Sequence, residues 1–398
     1  MTHPGPLSDL RVVEMGQLLA GPFAGQLFAD FGAELIKLEP PNQGDPLRVW
    51  GKERTNGKAL WWSVLGRNKK SVTCNLRLPE GQQIARDIIA TSDVVIENFR
   101  SGTLERWGLS PEQLWEINPR LVILRVTGFG QTGPMSKEAG YGAVGEAMGG
   151  LRYVTGDPDR MPSRAGISIG DTLAATFGTL GALMALHARN RTGRGQVVDS
   201  ALYEAVLAVM ESLVIDYDQA EYIRERTGSI LPKIAPSNVY PTQDGEMLIA
   251  GNGDSIFRRM AEGMGQPELA EDPRFADHTA RGENQAELDA VIEAWSLTKT
   301  SEEVDALMTE HKVPHGKIFR APEMLEDAQF KARESIVKVM HPQYGEVAMQ
   351  NTFPRLSDTP GQVRWVGPEL GQHTDEILKS VLGKTDEEIA ALRAADVI

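Results

Sequence analysis

Short apolar runs alternate with amphipathic stretches through the first third of the chain. Residues 10–15 are an apolar run ended by Gly16. Residues 20–31 then take helical spacing, with Phe23, Leu27 and Phe31 on one face and Gly32 as the stop. Residues 34–38 and 71–76 read as strands, and Pro79 opens a helix to about residue 90. A strand at 94–99, a helix at 110–117 begun by Ser-Pro, and a mostly apolar strand at 121–127 complete the series. Strands alternating with helices predict a parallel sheet covered on both faces, which binds ligands outside the carboxyl ends of its strands.

From Gly142 the pattern changes. Residues 143–151 and 170–189 are rich in Gly and Ala, and the second run predicts a closely packed helix. A turn at 190–195 and a short strand at 196–199 follow, and 201–220 reads as one long connecting helix. Residues 224–244 are turn-rich. A strand at 247–250 and helices at 255–264, 284–297 and 301–311 predict a smaller second domain. A hairpin at 336–349 and helices at 374–382 and 386–395 close the pattern.

Composition narrows the function. Over 398 residues, 41% hydrophobic and 24% charged is the balance of a soluble globular protein. With 41 basic and 55 acidic residues, the net charge of −14 argues against nucleic acid as the main partner. Cys74 is the one cysteine, which excludes a disulfide framework and suits a reducing compartment. The first residues lack the basic-then-apolar pattern of a signal peptide, and no apolar stretch reaches the ~18–20 residues of a membrane span. A cytoplasmic protein is expected.

Two short motifs are weaker than they look. Gly128-Phe-Gly130-Gln-Thr-Gly133 matches a dinucleotide fingerprint, but Pro134 follows at once and no amphipathic helix succeeds it, so it reads as a turn shaping a pocket wall. Gly166-Ile-Ser168-Ile-Gly170 matches a nucleophile elbow but follows a polar, turn-like segment instead of a strand. The seven histidines show no metal-ligand spacing. His187 reads as helix packing, and His373 as a helix-cap neighbour. Residues 67–106 carry seven basic against five acidic side chains. Asn75, Arg77, Asn98, Phe99 and Arg100 fall at predicted strand ends, where cations and a stacking ring suit a phosphate-bearing ligand; a solvated face is the plainer reading. Asp171 opens the small-residue helix, where an N-cap is the plainer reading, although the same N–H groups would keep its carboxylate ionised.

The ordered set of motifs resembles the family III CoA-transferases, the CaiB/BaiF family. It comprises LLAGPFAGQLFADFGAELIKLE at 18–39, RNKKSVTCNLRLPEG at 67–81, DVVIENFRSGTLERWGL at 93–109 and NPRLVILRVTGFGQTGP at 118–134. GISIGDTLAA at 166–175, TGRGQVVDSALYEA at 192–205, LAEDPRFADHTAR at 269–281 and GQHTDEIL at 371–378 follow. The resemblance implies an α/β fold: a Rossmann-like large domain from 1–200 and 325–398, a connecting helix at 201–224, and a small α/β domain at 225–324. It also implies an interlocked homodimer.

Carried over by position, the catalytic aspartate is Asp171. CoA contacts fall on Leu18, Leu19, Ala20, Asn75, Arg77, Asn98, Phe99, Arg100, Arg106 and Lys137, and Trp50 matches an active-site tryptophan of formyl-CoA transferase. That enzyme's glycine-rich lid has no counterpart here, and its glutamine before Gly-Gly is Glu146. Arg48, Arg54 and Arg164 flank matched residues and are candidates to read a second carboxylate, which suggests succinyl-CoA as donor and a small dicarboxylate as acceptor. CoA enters as substrate, with no tightly bound cofactor and no metal. A 2-methylacyl-CoA racemase and a non-enzymatic acyl-CoA binder are the alternatives. Racemases of the family have Gly-His-Asp where this chain has Gly140-Tyr141-Gly142, and a tyrosine is a poor base.

Overall fold

The computed structural model describes residues 5–51, 54, 55 and 58–398, and for Arg54, Thr55 and Lys58 the backbone alone. Arg54 as a carboxylate reader therefore lies outside the described side chains.

Six strands form one parallel sheet: β1 (Arg11–Glu14), β2 (Glu34–Glu39), β3 (Lys69–Thr73), β4 (Val94–Glu97), β5 (Val122–Thr127) and β6 (Val197–Ala201). Their order is β3-β2-β1-β4-β5-β6, so the sheet grows in opposite directions from β1 and β4. Alternate side chains point to opposite faces. Val13, Ile36, Val72, Val95 and Ile123 enter one core, and Val12, Leu35, Val94, Val122 and Leu124 the other.

The first face is covered by α2 (Pro79–Ala90) and α3 (Pro111–Ile117), the latter begun by a Ser110–Gln113 capping box. Opposite lie α1 (Ala20–Asp30), α5 (Ile169–Thr192) and α6 (Leu202–Leu207); α4 (Gly142–Met148) precedes α5 in the chain. Small residues let α5 approach the sheet. A Cβ at Gly178 would lie 2.9 Å from Leu124 Cδ1, and one at Gly181 2.7 Å from Val198 Cγ1. With 24 residues and a mean hydropathy of 1.4 in its most apolar window, α5 is long and apolar enough to cross a membrane, which the sequence expectation missed; 44% of that window is buried inside the protein.

Three expectations need correction. The strand placed at 71–76 is Lys69–Thr73. Lys69 reads as polar, yet it is fully buried because Glu14 and the Pro22 carbonyl bind its ammonium at 2.7 and 2.6 Å. The single helix at 201–224 is instead the end of β6, then α6, a turn in which Glu211 has φ +53°, and α7 (Leu213–Ala220). His187, expected to pack, is exposed on α5.

The chain divides into two units, 1–152 with 165–215 and 331–398, and 153–164 with 216–330. Residues 153–164 thus leave the first unit, where the sequence had placed them. The second unit pairs β7 (Ser237–Pro241), β8 (Glu246–Ala250) and β9 (His315–Lys317) in an antiparallel sheet. Its core joins Tyr240, Phe257, Met260, Phe275, Ile292 and Trp295. Arg281, closing the 269–281 run, is fully buried and donates to the carbonyls of Ala235, Phe275 and Asn252 and to Asp254 Oδ1. That run is structural.

In the first unit, a hairpin of β10 (Ile336–His341) and β11 (Gly345–Gln350) precedes α8 (Thr374–Ser380) and α9 (Asp386–Ala394), which pack on the first core. The intervening segment caps the edge strand β3. Trp365 Nε1 donates to the Lys69 carbonyl at 3.0 Å, His373 N to the Ser71 carbonyl at 2.9 Å, and Ser71 N to His373 Nδ1 at 3.2 Å.

Candidate active site

The order reversal between β1 and β4 opens a crevice at their carboxyl ends. The turn after β1 runs Gly16 to Gly21, and its glycines touch: a Cβ at Gly16 would lie 2.9 Å from Gly21 Cα. Asn98, just past β4, clamps this turn, accepting from Gln17 N at 2.7 Å and donating to the Gln17 carbonyl at 2.8 Å. Its amide is committed to the backbone, so it supports the turn more than it offers contacts of its own.

Two clefts meet here. The larger, about 630 Å³, is lined by Gln17, residues 40–44, Asn75, Arg77, Phe99, Arg100, Thr103, Arg106, Trp107 and Asp396. Three arginines against one aspartate suit a polyanion. The smaller, about 260 Å³, is lined by residues 17–20, Asn98–Ser101 in sequence, Gly128, Phe129, Gly140, Tyr141 and Asp171. Gln17, Phe99 and Arg100 line both. The clefts therefore adjoin along a shared wall, with Arg77 and Arg106 lining the larger and Asp171 the smaller.

The cation wall is built by local geometry. Gly102, at φ +86°, opens the short helix Thr103–Arg106, and Thr103 Oγ1 accepts from Arg106 Nη2 at 2.9 Å. Phe99 meets Trp107 edge-on at 5.0 Å between ring centroids. Beneath them Arg125 Nε pairs with Glu97 at 2.7 Å and Arg125 Nη1 with Glu105 at 2.8 Å, while Glu97 Oε2 accepts from Phe99 N. Burial pushes the Glu97 carboxyl up to about 7, against the pull of Arg125. Cys74 lines the larger cleft, and burial raises its thiol to about 12, which leaves it inert near neutrality.

Asp171 is not the cap of α5. Ser168 holds that position, and Asp171 lies in the first turn, where the helix dipole favours an anion. Its carboxylate lies against Gly142: a Cβ there would stand 2.1 Å from Asp171 Oδ2. Next to it, buried Glu146 accepts from Arg152 Nε at 2.8 Å and from Gly170 N at 3.4 Å. Glu146 thus holds the start of α5 and lines neither cleft among the described residues.

The other candidates disperse. Arg48 makes a two-pronged pair with Glu39, both contacts 2.7 Å, donates to the Pro368 carbonyl, and stacks 3.8 Å over Trp62. A substrate carboxylate would have to displace Glu39. Trp50 is exposed and lines neither cleft. Lys137 is exposed beside Ser136 and Glu138, which line the smaller cleft. Arg164 belongs to the second unit. The GxGxxG turn does shape a wall: a Cβ at Gly128 would lie 2.8 Å from Gly140 Cα. No strand precedes Ser168 as an elbow requires. Among the described residues no group of acids, histidines or cysteine could hold a metal ion. Gln17, Thr103, Trp107 and Asp396 went unsuspected; Asp396 reaches the cleft from more than three hundred residues away in sequence, where no local pattern signals it.

Comparison with known proteins adds chemistry to this geometry. The family described as CoA-transferase family III matches residues 7–374. A succinyl-CoA–D-citramalate CoA-transferase of Chloroflexus aurantiacus is 58% identical over 396 residues, covering 99% of this chain and 98% of the relative. The beta subunit of a succinyl-CoA–L-malate CoA-transferase from the same organism is 39% identical over 397 residues, at 99% and 98% coverage. The crystal structure of a CaiB/BaiF family protein from Brucella suis superposes with a TM-score of 0.86 at 35% identity, covering 95% of this chain and all of that one.

Proposed function

The chain belongs to CoA-transferase family III, and from that premise we propose that it moves CoA from succinyl-CoA to a small hydroxylated dicarboxylate of the citramalate type. The adjoining clefts carry this reading: a long ligand with a phosphorylated end fits cations in one and a carboxylate in the other. Relatives that act on D-citramalate and L-malate support the acceptor class.

In the proposed cycle, Asp171 attacks the thioester carbonyl of succinyl-CoA. The C–S bond breaks, CoA leaves as thiolate, and a mixed aspartyl–succinyl anhydride remains. The thiolate attacks the aspartyl carbonyl, releasing succinate and leaving an aspartyl-CoA thioester. The acceptor carboxylate attacks that thioester, breaking its C–S bond to expel CoA thiolate and leave a mixed aspartyl–acceptor anhydride; the thiolate then attacks the acceptor carbonyl, forming the new acyl-CoA and releasing the Asp171 carboxylate.

The first step is uphill, because a carboxylate of pKa ~4 displaces a thiolate of pKa ~8.5, on the order of 6 kcal/mol on a leaving-group scale. Binding energy along the nucleotide end offsets this where it is realised at the reacting carbonyl. Arg77, Arg100 and Arg106 are the side chains placed to supply it.

Two further expectations belong to this proposal. A homodimer, interlocked as in the family, is supported by apolar side chains left in solvent on α5 and α4: Phe177, Leu180, Met184, Val144 and Met148. A cytoplasmic setting accords with the buried, reduced Cys74.

The test incubates the protein with succinyl-CoA and, separately, D-citramalate, L-malate, glutarate, formate and oxalate, with acyl-CoA products read by mass spectrometry. Exchange onto the hydroxylated dicarboxylates is expected. Exchange onto formate or oxalate alone refutes the acceptor assignment.

A further inference from the structure

Leu18 faces the smaller cleft with φ +63°, a left-handed backbone that costs a side-chain-bearing residue about 1–2 kcal/mol. Such a conformation persists only where its surroundings over-determine it. Lys37 Nζ donates to the Gly16 carbonyl at 2.7 Å, Asn98 clamps Gln17, and Asp45 Oδ1 accepts from Leu18 N at 3.0 Å.

Asp45 reaches in two directions. The same Oδ1 accepts from Leu47 N at 2.8 Å, Asp45 N donates to Glu39 at 2.9 Å, and Oδ2 pairs with Lys37 at 2.9 Å. Lys37 in turn pairs with Glu14 at 2.7 Å, and Glu14 with Lys69 at 2.7 Å, all fully buried. Burial works against the Asp45 charge, but Lys37 and the donating N–H groups hold its carboxyl below the usual range. The preceding residues 40–44, together with Pro46, line the larger cleft. One ionised carboxylate thus ties the turn of the small cleft to the loop of the large one.

We propose that Asp45 is a positioning residue for the CoA thioester: it holds Leu18 left-handed and fixes the turn beside Asp171 in register with the loop beside the nucleotide. This rests on the CoA reading above. A glycine at position 18 would adopt that conformation without such a restraint, which separates the strain from the contact.

The experiment measures CoA affinity by calorimetry, and melting, for wild type, Asp45→Ala, Asp45→Asn, Leu18→Gly and the Leu18→Gly/Asp45→Ala double variant. Asp45→Ala is expected to weaken CoA at least tenfold, and Asp45→Asn, which keeps an oxygen for both N–H groups but turns an amide donor toward Lys37, by less than Asp45→Ala. In the Leu18→Gly background the alanine change should cost less than threefold, because the strain it must hold is gone. Equal cost in both backgrounds, or lowered melting with unchanged affinity, overturns the inference. Should Asp45→Ala fail to fold, Asp45→Ser in the same two backgrounds makes the comparison. Wild type that does not bind CoA at all overturns the transferase reading as well, and is seen before any variant is made.

Discussion

An alanine at position 142 adds one methyl group where α4 begins. Its Cβ would stand 2.1 Å from Asp171 Oδ2 and 2.7 Å from Asp171 Cγ. An ordinary C···O contact is about 3.3 Å or more, so the carboxylate must retreat by about 1 Å. The backbone tolerates the change: Gly142 is helical, and alanine favours a helix over glycine by roughly 0.5–1 kcal/mol. What moves is the carboxylate of a half-buried side chain and not the backbone, so the fold is expected to stay. Chemistry is not so tolerant. A misplacement of about 1 Å in an attacking group costs on the order of a hundredfold, or ~2.7 kcal/mol in the barrier. Gly142→Ala should therefore melt at or above wild type, bind CoA within threefold, and turn over about a hundredfold slower at saturating succinyl-CoA. Hydroxylamine trapping at residue 171 should fall in parallel. Wild-type turnover in this variant would refute the placement of Asp171 as the attacking group.

Asp171→Asn should keep wild-type CoA binding and lose at most ~1 kcal/mol of stability, since Ser168 and not Asp171 is the cap. Its transferase activity should drop at least about a thousandfold, ~4 kcal/mol, and substantial exchange by a variant free of deamidation would remove Asp171 from the chemistry. Arg106→Ala should weaken CoA binding and flatten its salt dependence, and unchanged calorimetric affinity would take Arg106 out of the site. His373 tests the capped sheet edge: burial, aided by Lys70 and opposed by Glu376, lowers its pKa, and its Nδ1 must stay unprotonated to accept from Ser71 N. The folded state thus favours the neutral ring. That stability is complete above the unfolded pKa of about 6.5 and is lost as pH falls toward the folded one. Melting should drop less between pH 7.5 and 5.5 in His373→Asn than in wild type, and equal slopes would refute the assignment.

The sheet and most of its helices were legible because their patterns are local. The continuous apolar run that opens Val94–Glu97 and the Ser110–Gln113 box each signal their element within a few residues. Lys69 was misread because its burial depends on Glu14, 55 residues away. The break after α6 was hidden because composition does not announce the left-handed Glu211. Asp171 and the cleft arginines stood out through motif resemblance, and the structure brings them to adjoining clefts. The same signal overstated Arg48, whose guanidinium Glu39 already occupies, and left Asp45 unremarked. Sequence marks residue types suited to a task but not which partner has already claimed them.

The capping of β3 has a consequence for biosynthesis. Ser71 and His373 pair across 302 positions, so at ~5–20 residues per second roughly 15–60 s separate the emergence of the strand from that of the segment covering it. Throughout that interval the growing chain carries an uncovered sheet edge, the kind of template on which neighbouring nascent chains pair. The whole second unit, 153–164 with 216–330, is synthesised within the same interval. Yield in the cell then depends on how fast the last seventy residues follow and on what shields the edge meanwhile, and a pause in translation just before residue 365 would lower it without changing a single contact of the finished protein.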